Sequence, residues 1–125
     1  RYANTQALFD RAQELSVHHA FDEDLQTDRG VAAARDGLRT ALQRCDAVYL
    51  TVCLDVLPGF QAPGVSAPAA LGVPLGQVLA LLDTVLACGK VVAADIAELN
   101  PNSDRDSLTA KTAARIAALI ARNVR

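Results

Sequence analysis

Two apolar, β-rich runs constrain this chain more than anything else in it: residues 47–54 (AVYLTVCL) and residues 90–96 (KVVAADI). Both are nearly unbroken, the pattern expected of strands covered on both sides. Between them, Pro74 suits the first turn of a helix, Leu75, Val78, Leu82 and Val85 follow at helical spacing, and Gly89 offers a left-handed stop. A strand, a helix and a second strand at these lengths call for a parallel pair with a right-handed crossover.

The flanks extend the alternation. Asn4 is a helix cap, with Leu8, Ala12 and Leu15 following, so residues 4–15 are predicted helical. Residues 17–21 form a short candidate strand. Asp28 is the expected cap of a second helix, running through residue 44 with Val31, Ala34, Leu38, Ala41, Leu42 and Cys45 on one face. After a polar loop at 100–106, a last helix turns Leu108, Ile116, Leu119 and Ile120 inward. The expected fold class is therefore α/β, a doubly wound layer structure on a parallel sheet. Ligands collect beyond the carboxyl ends of such strands. Those ends are Phe21-Asp22, Cys53-Leu54-Asp55 and Asp95-Ile96-Ala97-Glu98.

At 125 residues the chain has room for one domain, and its 51% hydrophobic content argues for a packed core. Net charge is −2, and two tyrosines and three phenylalanines are few for stacking on bases, so no nucleic-acid partner is expected. Lys111, Arg115 and Arg122 are expected to form a solvated helix face. No run of apolar residues is long enough to span a bilayer, and the expectation is a soluble, cytoplasmic protein with no membrane partner. Cys45, Cys53 and Cys88 lack CxxC spacing, and Cys45 and Cys88 are expected as reduced core thiols. The chain begins with Arg1 and enters at once into a helix signal, the expectation being that it is a piece of something longer.

The candidate site lies where the first run breaks into a loop punctuated by Pro58, Pro63 and Pro68. Residues two apart on a strand share a face, so Cys53 and Asp55 are expected to point the same way and to be able to share a metal. Asp55 is either such a ligand or a turn-capping residue. A thiolate favours softer metals, and by itself Cys53 reads better as a strand-end core thiol. Glu98 either grips a cationic amidine or guanidinium in bidentate fashion or pins backbone donors of the turn that follows. His18 and His19 are adjacent, face opposite ways on a strand, and are expected to be structural or exposed.

The stretches TVCLDVLPGFQAPGVSAPAALGVPL (51–75) and ADIAELNPNSDRDSLTAKTAARIA (94–117) resemble the carboxyl-terminal part of the ureohydrolase, or arginase, family, and are most similar to its formimidoylglutamases. The resemblance runs from about residue 1 to the end. It implies a three-layer α/β/α fold with a parallel sheet, present here as a partial domain over residues 1–125. It also implies a two-manganese (Mn²⁺) centre, whose bridging hydroxide attacks an amidine or guanidine carbon. The formimidoylglutamases cleave N-formimidoyl-L-glutamate to L-glutamate and formamide in histidine degradation. The family's strand-end motif is Asp-x-Asp with both carboxylates on metal; Asp55 matches the second, and Cys53 stands where the first belongs. Glu98 matches the glutamate that faces the substrate's cationic head.

Nothing in the chain matches the family's other ligands, a histidine and an Asp-x-His-x-Asp cluster. The resemblance thus implies that one copy cannot assemble the centre and is inactive alone. The alternative is a catalytically dead remnant acting as a structural or interaction module. Besides the small-molecule substrate, the expected partner is a second copy of the chain or a missing amino-terminal half. By family topology the strands at 48–54 and 91–96 are neighbours, while the one near 17–21 is separated from them. Open sheet edges would then promote self-association or a rearranged sheet.

Overall fold

The computed structural model describes residues 4–124. The two β-rich runs become β1 (Val48–Cys53) and β2 (Val91–Ala97), paired in parallel with Thr51 opposite Asp95 and Cys53 opposite Ala97. Helix α3 (Leu75–Leu86) connects them, entered through Pro74 and left through Gly89 at φ 69°. Around this unit lie α1 (Gln6–Glu14), α2 (Asp28–Gln43) and α4 (Leu108–Asn123). The expected neighbours in the sheet are thus neighbours.

Helical periodicity decides what is buried. On α4, Thr109, Ala113, Ile116 and Ile120 lie four, three and four apart and form one inward stripe, with Ile116 fully buried. Val78, Leu82 and Val85 of α3 and Val31 and Leu42 of α2 join the same cluster, together with Leu50 and Val52 of β1. Each such aliphatic side chain contributes roughly 1.5–3 kcal/mol by leaving water. Lys111, Arg115 and Arg122 fall on the exposed side of α4, as expected.

Several expectations are corrected. The strands are not covered on both sides: Tyr49 is 66% exposed and Val92 68%, and Thr51 is exposed as well. The reason is that α2, α3 and α4 all pack into the one cluster that holds Leu50 and Val52, leaving the opposite face open. On that open face Asp95 accepts hydrogen bonds from the Tyr49 hydroxyl and, at 3.2 Å, from the Thr51 hydroxyl. The carboxylate beside it holds the Tyr49 phenol above its ordinary pKa, first through the hydrogen bond and then through its charge.

Residues 17–21 form no strand. Ser16 turns left-handed at φ 53°, and the rings of Phe9, His19 and Phe21 then gather with centroids 5.2–5.8 Å apart. His18 and His19 are exposed, and Asp22 therefore stands at no strand end. Helix α1 is preceded by Thr5 rather than capped at Asn4. The cap of α2 is Thr27, whose hydroxyl accepts from the Gly30 N–H at 3.1 Å, while Asp28 already sits in the first turn. Cys45 lies exposed beyond the end of α2 and Leu108 is exposed at the start of α4, so neither is a core residue. Among the described residues no helix is long and apolar enough to cross a membrane.

Candidate functional site

The site grows from the turn that ends β1. After Cys53 the backbone enters a 3-10 turn, Leu54–Val56. With about three residues per turn, Leu54 and Leu57 share a side, and at 0% and 1% exposure they anchor the turn on either side of Asp55. The loop beyond is closed on itself. The Val73 N–H donates to the Val56 carbonyl at 2.6 Å, and the Gly59 N–H to that of Ala69 at 2.9 Å. The Gln61 side chain accepts from the Leu75 N–H at 2.9 Å, occupying one of the free donors at the start of α3.

The opposite wall begins where β2 ends. Glu98 adopts φ 71°, a left-handed conformation that costs a non-glycine residue about 1 kcal/mol or more. Its Oε2 accepts a hydrogen bond of 2.6 Å from the Ser66 hydroxyl, 32 residues away in the chain. Asn100, by contrast, serves its own turn. Its Oδ1 accepts from the Asn102 N–H at 3.2 Å and its Nδ2 donates to the Ser103 hydroxyl at 3.1 Å.

A seam joins the two walls. The Gly64 N–H donates to the buried Thr109 hydroxyl at 2.7 Å, and the Gly64 carbonyl accepts from the Asn100 N–H at 2.8 Å. Asp104 closes the seam by accepting from the Thr109 and Ala110 N–H groups, both at 2.9 Å. Burial pushes the Asp104 carboxyl up, but these donors, the Thr109 hydroxyl and the Lys111 charge outweigh it and hold the group below the ordinary 3.8. A depressed acid stabilises the folded state fully above its unfolded pKa and loses that contribution as pH falls toward the folded value. Asp104→Ala is therefore expected to lower the melting midpoint at neutral pH. The gap from the parent should narrow as pH drops below 3.8, as scanning calorimetry over a pH series would show.

Asp55 faces the opposite electrostatic situation. Burial first, and then the charge of Glu98, push its carboxyl above the ordinary range, with a hydrogen bond from the backbone of Ala67 offsetting part of the rise. Its Oδ1 is buried without a hydrogen-bond partner. Asp55 and Glu98, expected at one rim of the sheet, border the same loop, Glu98 through Ser66 and Asp55 through the adjacent Ala67. Asp95 stays apart, engaged with Tyr49 and Thr51.

The route proposed from sequence to Cys53 does not hold in the same way. Strand alternation stops at Cys53, where the 3-10 turn begins, so the shared parity of Cys53 and Asp55 is broken at that point. Cys53 is half-buried and its thiol is free, as are those of Cys45 and Cys88. Sequence reasoning missed Ser66 and Ala67, the two adjacent residues that touch Glu98 and Asp55. Their only sequence signal is a position between Gly64 and Pro68 in a stiffened loop.

As metal donors these residues fit one position and not a whole centre. A buried carboxylate oxygen without a partner is a hard donor suited to Mn²⁺, which Asp55 supplies. The thiol of Cys53 is soft and suits that ion poorly. Among the described residues no three His, Cys, Asp or Glu side chains gather in a group able to hold a metal ion.

Comparisons with known proteins place the chain in a family. The model of the arginase family matches residues 2–121. The formimidoylglutamase of Paraburkholderia xenovorans (strain LB400) is 50% identical over 115 residues, 92% of this chain and 35% of that protein. The formimidoylglutamase of Hahella chejuensis (strain KCTC 2396) is 52% identical over 124 residues, 96% of this chain and 37% of that protein. The chain thus spans about a third of the length of these curated relatives. Among solved structures, arginase from Bacillus cereus superposes with a TM-score of 0.83 at 21% identity, over 93% of this chain and 40% of that one. That likeness identifies the parallel pair and its helices as part of the arginase-like three-layer α/β/α fold. The chain belongs to the arginase family.

Proposed function

We propose that residues 1–125 are the carboxyl-terminal part of a formimidoylglutamase-like domain, contributing Asp55 to a metal site and Glu98 to the substrate. The reaction adds water to N-formimidoyl-L-glutamate and releases L-glutamate and formamide, a step of histidine degradation in the cytoplasm. The observation that carries this reading is the buried, unpartnered oxygen of Asp55 held against a second acid, Glu98. Packing two carboxylates together costs stability unless a cation is meant to lie between or beside them. Identity near 50% to formimidoylglutamases supports the choice of substrate within the family.

In this reading Asp55 offers its free oxygen to Mn²⁺. The metal, when bound, supplies an activated water and charge stabilisation for the addition. Glu98 accepts hydrogen bonds from the cationic amidine and holds it against the rim. The Pro/Gly loop keeps both acids in place. The remaining ligands belong to the rest of the domain, which also covers the open face of Tyr49 and Thr51; a second copy of the chain is the other candidate for that cover.

A hybrid enzyme tests the reading: this chain replaces the matching segment of the Paraburkholderia xenovorans formimidoylglutamase. Manganese-dependent release of formamide and glutamate is the expected result. Cys53 favours one competing reading, a catalytically dead remnant serving as a structural module. If the hybrid gains activity only after Cys53→Asp, the remnant reading wins. A folded hybrid that binds no metal and stays inactive with either residue at position 53 would overturn the hydrolase assignment altogether.

A further inference from the structure

We propose that Ser66 is a positioning residue for Glu98, and that it and Ala67 together set the separation between the two carboxylates of the site. The inference rests on the reading of Glu98 as the substrate-facing acid. It goes beyond that reading by naming what orients the acid and what a substrate would lose without it.

The argument starts from connectivity. Ser66 and Ala67 are consecutive, and each contacts a different carboxylate: the Ser66 hydroxyl donates to Glu98 at 2.6 Å, and the backbone of Ala67 hydrogen-bonds to Asp55. A single peptide unit therefore bridges two groups that repel each other. It can hold them only if its own placement is rigid. On one side Gly64 is tied through both its N–H and its carbonyl, to Thr109 and Asn100. On the other, Pro68 restricts the backbone of Ala67 to extended conformations. Ser66 lies between these fixed points.

The other end of the bond needs such a tie. Glu98 is exposed and its backbone is left-handed, so local sequence does not dictate where its carboxylate sits. A glutamate side chain loses substantial rotamer freedom when ordered, and that loss falls on substrate binding unless the side chain is arranged beforehand. A hydroxyl on Oε2 arranges it. One of the carboxylate's roughly four lone-pair sites is taken, and the rest stay open to the N–H groups of a planar cation.

Because Glu98 grips the cation in the bound ground state as well as later, losing its orientation should weaken substrate binding more than turnover. In the hybrid enzyme, Ser66→Ala is expected to raise KM about tenfold while kcat changes less than about threefold. Ser66→Thr restores the hydroxyl and should restore KM; Ser66 is exposed, leaving room for the extra methyl group. The melting midpoint of both variants should match the parent. An unchanged KM in Ser66→Ala, or a KM in Ser66→Thr equal to that of Ser66→Ala, overturns the proposal. So does a fall in midpoint that accounts for the loss.

A second measurement separates this inference from the assigned substrate. Formamidinium, the bare cation, is titrated into the isolated chain while the backbone amide resonances of residues 66 and 98 are followed. Saturable shifts in the parent that weaken in Ser66→Ala support the positioning role, even if the hybrid proves inactive on N-formimidoyl-L-glutamate. Equal shifts in parent and variant, or none in the parent, refute it.

Discussion

Gly64→Ala is expected to unfold this chain on the order of 10–20 °C below the parent in a thermal melt, far more than one added methyl group does on a surface. A Cβ at position 64 would lie 2.4 Å from the Cβ of Asp104 and 2.7 Å from its Cα, distances no relaxed contact shows. Asp104 cannot retreat, because it holds the N–H groups of Thr109 and Ala110 at the start of α4. Gly64 cannot retreat either without breaking its bond to the buried Thr109 hydroxyl. Overpacking costs roughly 1–3 kcal/mol, and a buried donor left unpaired costs roughly as much again. In the hybrid enzyme the same change should abolish activity, since it parts the loop carrying Ser66 from the wall carrying Glu98. Gly76→Ala is the contrast: nothing lies within 4 Å of a Cβ there, and the helix should gain roughly 0.5–1 kcal/mol. Equal melting midpoints for parent and Gly64→Ala would show that the seam does not hold the fold together.

Asp55→Asn is expected to divide function from stability. Residues that merely support a metal ligand cost 10- to 100-fold when lost, so removing a direct ligand should lower kcat/KM of the hybrid by at least about 100-fold. The metal-free chain should melt at the same temperature as the parent or higher. The carboxylate it loses has a buried, unpartnered oxygen and is disfavoured in its charged form by Glu98. Its folded-state pKa lies above the unfolded one, so the ionised group opposes folding once pH rises through that interval. An acid kept for structure behaves in the opposite way, as Asp104 does. Undiminished turnover by Asp55→Asn would remove this residue from the site, and a large fall in melting temperature would recast it as structural.

Much of this arrangement is legible in the order of residues. Hydrophobic period separates strand from helix in the 47–54 and 75–86 segments, and Pro74 and Gly89 mark where α3 starts and stops. The positions of Asp55 and Glu98 at two strand ends follow from the topology that this alternation demands. The errors share a cause. Residues 17–21 have strand-like composition, but a strand exists only if a neighbour offers it hydrogen bonds, and there the aromatic rings fold back beside α1 instead. The strand run 47–54 predicts cover on both faces, whereas α2, α3 and α4 all gather on one.

The sequence by itself determined the two parallel strands, the helices around them and the placing of Asp55 and Glu98 just beyond two strand ends, because those follow from local periodicity and chain connectivity. Only the tertiary structure decided what holds the acids there. The Ser66–Glu98 bond, the tie from Gly64 to Thr109 and the stranded oxygen of Asp55 join or isolate groups whose relation depends on how a long loop closes. No local propensity encodes a contact across 32 or 45 residues; it exists only once the core has packed.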